Sequence, residues 1–182
     1  MPAPSHPLSR RLSYLLRHAP HEAGLSLELG GWVRVEALLR GLERLGVRVS
    51  RDELAELVAA DDKGRFGFDS SGDRIRANQG HSVPVDLHLS PQTPPDTVYH
   101  GTVTRFLGAI LQGGLRPMSR HHVHLSPDSE TARRVGARRG RPVVLEVDAG
   151  RIGRAGQLFY RSENGVWLTD RVLPEYLSVL PG

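Results

Sequence analysis

The chain has 182 residues, 38% of them hydrophobic and 24% charged, which suits a soluble globular protein of one domain or two small ones. It contains no cysteine, which excludes disulfides, cysteine-ligated zinc and a thiol nucleophile, and fits a reducing cytoplasm. The formal net charge is +4, with 12 basic and 12 acidic residues in 1–90 but 12 and 8 in 91–182, so the basic excess sits in the second half.

The first apolar cluster, Leu12 to Leu16, is short and is interrupted by Arg17 and His18, so no signal peptide is visible. No apolar run approaches the ~20 residues of a membrane span. A cytoplasmic monomer without a membrane partner is expected. Leu12, Leu15 and Leu16 predict a helix that stops before Pro20. Arg17 and His18 at its end complement the negative end of the helix dipole, which would by itself explain them. Val35, Leu38, Leu39, Leu42 and Leu45 have helical spacing, and Gly46 ends the run. Ser50-Arg51-Asp52-Glu53 reads as a capping box opening a helix through Leu54, Leu57 and Val58. Arg65–Asp69 and Arg74–Ala77 flank Ser70-Ser71-Gly72-Asp73 as a hairpin. Helices followed by a hairpin are in winged-helix order, a fold that often meets nucleic acid without proving that it does.

Ser90-Pro91-Gln92-Thr93-Pro94-Pro95-Asp96 reads as a linker, and a boundary is placed there, giving domains 1–90 and 91–182. Beyond it, strands are predicted at Thr97–His100, Val123–Ser126, Val143–Val147, Leu158–Arg161, Val166–Thr169 and Leu177–Leu180, with helices at Thr104–Gln112 and Pro127–Arg138. Ser126-Pro127-Asp128 predicts the second helix start, with Ser126 as cap and Pro127 in the first turn. The pattern is α+β; no G-x-G-x-x-G or ordered strand–helix alternation supports a Rossmann domain.

Several residues carry possible chemistry. His100 and His124 lie in short strands, each near a small hydroxyl residue, Thr102 or Ser126. A strand histidine is usually structural, but the pair beside Gly101, which lets a ligand approach the backbone, reads as the floor of a nucleotide pocket. Metal is the rival reading. Alternation lets only His122 and His124 of the His121–His124 group share a face, and no nearby carboxylate completes a zinc set, so no metal is expected. Arg133, Arg134, Arg138, Arg139 and Arg141 suit a polyanion or dinucleotide, or a solvated helix end. Lys63-Gly64-Arg65 exposes backbone between two cations and suits a phosphate or a nonspecific backbone contact. Gln79-Gly80-His81-Ser82 suits a ribose or base edge, or a simple turn.

In order along the chain, Leu16-Arg17-His18, Lys63-Gly64-Arg65-Phe66, Arg76-Ala77-Asn78-Gln79-Gly80-His81-Ser82, Tyr99-His100-Gly101-Thr102, His122-Val123-His124-Leu125-Ser126, Val135-Gly136-Ala137-Arg138 and Asn164-Gly165-Val166-Trp167-Leu168-Thr169 form a pattern. From about Leu12 to Leu180 the chain resembles the RNA 2′-phosphotransferases (tRNA 2′-phosphotransferase, KptA type). The resemblance implies a winged-helix-like lobe followed by an ADP-ribosyltransferase-fold lobe that binds NAD. It implies an NAD-dependent enzyme that removes an internal 2′-phosphate from RNA, such as one left at a tRNA splice junction. The route runs through ADP-ribosylated RNA 2′-phosphate to 2′-hydroxyl RNA, nicotinamide and ADP-ribose 1″,2″-cyclic phosphate. By resemblance the catalytic set is Arg17, His18, Arg65 and Arg138. His100, Gly101, Thr102, Arg120, His124 and Ser126 would hold NAD, with Arg120 on its pyrophosphate. Lys63, Gln79 and His81 would touch RNA. Arg139 stands where many members carry histidine; neighbours on a helix point ~100° apart, so one of Arg138 and Arg139 faces the site. An ADP-ribosyltransferase that caps a terminal nucleic-acid phosphate, and a noncatalytic winged-helix binder, are the competing readings.

Overall fold

The computed structural model describes residues 7–181, which divide into two compact units between His88 and Leu89.

In the first unit, α1 (Pro7–Arg17) buries Leu12, Leu15 and Leu16 at no more than 1% exposure. Their spacing puts them on one side of the helix, and each buried leucine is worth about 2 kcal/mol. A short strand, β1 (Val33–Arg34), runs directly into α2 (Val35–Arg44), and Gly46 takes the left-handed φ of 77° just beyond it. The capping box opens α3 (Arg51–Ala59): Glu53 N donates to Ser50 Oγ at 3.1 Å and Ser50 N to Glu53 Oε2 at 2.8 Å. Strands β2 (Phe66–Phe68) and β3 (Arg74–Ala77) form the expected hairpin. Asp69 Oδ1 accepts from Asp73 N and Arg74 N across its turn. The sheet has the order β1-β3-β2, with every pairing antiparallel. The β1 edge was not expected, because two residues cannot display an alternation. Leu12, Leu16, Leu38, Leu42, Leu54 and Ile75 close the core.

The second unit has two further three-stranded antiparallel sheets. One joins β4 (Thr97–Val103), β6 (Pro142–Asp148) and β9 (Leu177–Val179) in the order β4-β6-β9. The other joins β5 (Val123–Leu125), β7 (Tyr160–Arg161) and β8 (Trp167–Thr169) in the order β5-β8-β7. Val98, Leu125, Val147, Ile152, Phe159 and Trp167 share one core. Helices α4 (Thr104–Gly113), α5 (Ser129–Ala137) and α6 (Ala149–Arg154) complete an α+β chain.

Four expectations need correction. Asp128, not Ser126, caps α5: its side chain accepts from Thr131 N at 2.7 Å. Ser126 is still engaged as strand, exchanging backbone bonds with Tyr99 at 2.7 and 2.9 Å. Helix α6 was missed; its signal was Asp148, which caps it by accepting from Arg151 N at 3.0 Å. The proline-rich segment 90–96 is not a free linker. Gln92 N donates to Phe159 O at 2.8 Å and Gly150 N to Asp96 O at 3.0 Å, so its backbone is tied along the second unit. Finally, Gly101 meets a packing demand that the reading of ligand approach did not foresee. A Cβ there would collide with the Ala132 carbonyl oxygen and lie 2.9 Å from Gly136 N, both on α5. Gly136 answers it: its own Cβ would lie 2.7 Å from Thr102 O. The two glycines let α5 lie directly on β4.

Candidate active site

In the first unit one short segment touches three of the expected catalytic residues. Leaving β3, Asn78 N donates to Arg65 O at 2.9 Å. Gly80, at φ 88°, passes so close to Arg17 that a Cβ would lie 3.7 Å from its Cδ, Nε and Cζ. Ser82 N then donates to Arg17 O at 2.9 Å, and Ser82 Oγ bonds His18 Nδ1 at 2.8 Å. Arg17 ends α1, and its Nε and Nη2 are shielded from solvent. Its neighbour His18 keeps an exposed ring, whose orientation Ser82 sets. Arg65 is held from below by Asp61, which accepts from its backbone N at 2.6 Å and from Nη1 at 2.5 Å.

The residues expected to touch RNA divide. Lys63 is exposed and Gln79 is half-buried. His81 is 2% exposed, and a Cβ on Gly31 would lie 3.3 Å from its Nε2. As placed, the His81 ring supports the 78–82 segment and presents no face to solvent.

In the second unit the strand histidines meet a group of arginines. By the period of two, His100 and Thr102 share a face of β4 with the core residue Val98. His100 Nδ1 bonds the His124 carbonyl oxygen at 3.1 Å. Since a carbonyl only accepts, Nδ1 carries the proton and Nε2 of the neutral ring is an acceptor. Burial, aided by the charge of Arg139, lowers the His100 pKa and outweighs the bond to His124. Val123 and Leu125 enter the core, so His124 between them projects to the other side of β5. There Arg120 Nη1 bonds His124 Nδ1 at 3.0 Å. Desolvation first, and then the charges of Arg139 and Arg138, lower the Arg120 pKa.

Arg138 is the C-cap of α5, and Arg139 lies one residue beyond it, with its N–H on Gly136 O at 3.0 Å. Arg139 acts on both His100 and Arg120, and on Arg120 more strongly than Arg138 does. The fold therefore brings Arg120, His124, His100 and Arg139 together. Ser126 contributes the backbone bonds that align β5 with Tyr99. His122 is used elsewhere: its ring packs 5.5 Å from that of Tyr160 and lies 4.0 Å from Asp170. Among the described residues no group of three or more histidines or carboxylates is placed to hold a metal ion.

A sequence model described as "RNA 2'-phosphotransferase, Tpt1 / KptA family" matches residues 3–171. The chain belongs to this family. It is 58% identical over 177 residues to a probable RNA 2'-phosphotransferase of Streptomyces griseus, covering 93% of this chain and 94% of that one. A protein of the same description from Hahella chejuensis is 52% identical over 172 residues, 94% and 92% of the two chains. One from Nostoc punctiforme is 52% identical over 171 residues, 94% of each.

Against this family's motifs, the residues that sequence reasoning missed are Asp61, Asn78 and Ser82 as supports of Arg65 and His18. Asn78 and Ser82 stood inside a quoted motif, but nothing in it said what they would hold. Among the described residues no helix is long and apolar enough to cross a membrane.

Proposed function

We propose that this chain is an NAD-dependent RNA 2′-phosphotransferase that removes an internal 2′-monophosphate from RNA, with RNA and NAD as its two substrates. The observation that carries the reading is the 78–82 segment: it fastens Arg17, His18 and Arg65 in place, two guanidiniums and an imidazole suited to a phosphate dianion. Three helices with a β1-β3-β2 antiparallel sheet support a winged-helix-like first lobe. Two small antiparallel sheets around one core support an ADP-ribosyltransferase-like second lobe.

NAD fits the second unit on two observations. Its pyrophosphate is the kind of anion that relieves the repulsion among Arg120, Arg138 and Arg139. The neutral His100 presents an acceptor nitrogen beside Thr102, suited to a ribose hydroxyl. NAD supplies a ribose C1″ bearing a good leaving group. In the first step an oxygen of the RNA 2′-phosphate bonds to C1″ as the bond to nicotinamide breaks. Little base strength is needed there, so positioning dominates. In the second step the ribose O2″ bonds to phosphorus and the RNA O2′ leaves. The O2″ proton is passed on and RNA ends as 2′-hydroxyl. His18, oriented by Ser82, is assigned to move that proton. Charge builds on the phosphoryl oxygens in this step, and Arg17 and Arg65 are assigned to stabilise it. The arginines of the second unit are assigned to the pyrophosphate of NAD.

The test is a short RNA with one internal 2′-phosphate, incubated with the chain with and without NAD. RNA is followed on a denaturing gel and nucleotides by mass spectrometry. NAD-dependent loss of phosphate with release of ADP-ribose cyclic phosphate is expected. A lasting RNA–ADP-ribose adduct would make the chain a transferase that stops after one step, and no nicotinamide release would overturn the reading.

A further inference from the structure

A guanidinium that stabilises a phosphoryl group must point at it, and two side chains outside the expected catalytic set determine where Arg65 points. Asp61 is almost wholly buried, its side chain 4% exposed against 20% for Arg65. Both of its oxygens are spent on Arg65, Oδ2 on the backbone N–H and Oδ1 on Nη1. Its own carbonyl accepts from Gly64 N at 2.8 Å. Just past the end of β3, Asn78, 7% exposed, takes both carbonyls of the same turn: its N–H donates to Arg65 O at 2.9 Å and its Nδ2 to Gly64 O at 2.8 Å. The Gly64–Arg65 backbone is thus held on both its donor and its acceptor sides, and the side chain is held at one nitrogen of its fork.

Stability alone gives a poor account of Asp61. It lies two residues past the end of α3, where the helix dipole disfavours a carboxylate, and burying it adds a desolvation cost. It also offsets part of the positive charge that a phosphate would seek. What it supplies is direction. Arginine has many side-chain rotamers, and ordering the side chain beforehand removes that entropy loss from the reaction step. We infer that Asp61 and Asn78 are positioning residues that aim Arg65 at the phosphoryl group. The inference rests on the proposed reaction.

The experiment is a double-mutant cycle on the full chain, with 2′-phosphorylated RNA and NAD and with nicotinamide release and phosphate loss timed separately. Asp61→Ala slows phosphate loss about tenfold or more, the RNA–ADP-ribose species accumulates, and nicotinamide release changes less. Asp61→Asn, which keeps one acceptor, loses less. In the Arg65→Ala background Asp61→Ala costs nothing further, because its effect runs through Arg65. Losses that multiply in the double variant, or Asp61→Ala at the unaltered rate, overturn the inference. If Asp61→Ala fails to fold by circular dichroism, Asp61→Asn and Asn78→Ala are run through the same cycle with the same criterion. An unaltered chain that releases no nicotinamide defeats the proposed reaction and the inference with it; turnover with multiplying losses defeats the inference alone.

Discussion

In the first unit the Arg65 guanidinium is tied to the Asp61 carboxylate, the Arg17 carbonyl accepts from Ser82 N, and the His18 ring bonds Ser82 Oγ. In the second unit Arg120 bonds the His124 ring and sits in the field of Arg138 and Arg139. The two arrangements suit different tasks. A carboxylate fixes a guanidinium's direction while cancelling part of its charge. Like charges keep their full field at the expense of mutual repulsion, which a bound anion relieves. On the proposed reading, the first unit serves geometry and the second the capture of an anion.

The harshest way to break this contrast is at Gly101. Helix α5 carries Arg138 and Arg139 at its end, and it reaches β4 only because Gly101 and Gly136 have no side chains. Gly101→Ala should cost the second unit about 3 kcal/mol, read by denaturant unfolding, with ADP-ribose binding lost as α5 moves away. Gly108→Ala on α4, whose Cβ would meet nothing within 4 Å, should be neutral or stabilising by about 0.5–1 kcal/mol. Equal losses at the two glycines would show that close packing of α5 is not what Gly101 provides.

A second pair of variants sharpens the division of labour. Arg65→Ala should lower the rate of phosphate loss about 10²-fold and leave ADP-ribose affinity intact, read by single-turnover kinetics and calorimetry. Arg139→Ala should do the reverse in kind, weakening ADP-ribose about tenfold and flattening the salt dependence of its binding. If Arg139→Ala left affinity unchanged, the arginines at the end of α5 would be a solvated helix terminus and nothing more.

Sequence patterns led to the elements where local signals are strong. Ser50 and Glu53 announce α3, Ser70–Asp73 announces the hairpin, and leucine spacing announces α1 and α2. Apart from the short β1 and α6, whose cap Asp148 is local, the misses share a physical cause: each depends on contacts distant in sequence. Nothing local says that Ser126 will be held by Tyr99 and so yield the helix cap to Asp128. Gly101 looked like an opening for a ligand because its filler, α5, lies some thirty residues away in the chain. Arg17, His18 and Arg65 stood out in the sequence, whereas Asp61 did not, because a carboxylate after a helix reads as solvated surface until its burial is known.

The smallest expected effect is one of pH, and it tests the neutral histidine proposed to meet a ribose of NAD. His100 has a pKa lowered from its ordinary 6.5, chiefly by burial and further by Arg139. Above that value both folded and unfolded chains hold the ring neutral, and it contributes no pH dependence. As pH falls below 6.5 the unfolded chain takes up a proton that the folded chain still refuses, so unfolding gains free energy and stability drops. Between about pH 7 and pH 5 the melting temperature of the unaltered chain should therefore fall more steeply than that of His100→Gln. His122, also lowered by burial, is present in both chains and cancels from the difference. Binding of ADP-ribose should reduce the difference, because an anion near Arg139 offsets the charge that opposes protonation of the ring. Parallel pH profiles for the two chains would mean that His100 is equally protonated in the folded and unfolded states, and the acceptor nitrogen assigned to ribose would no longer follow.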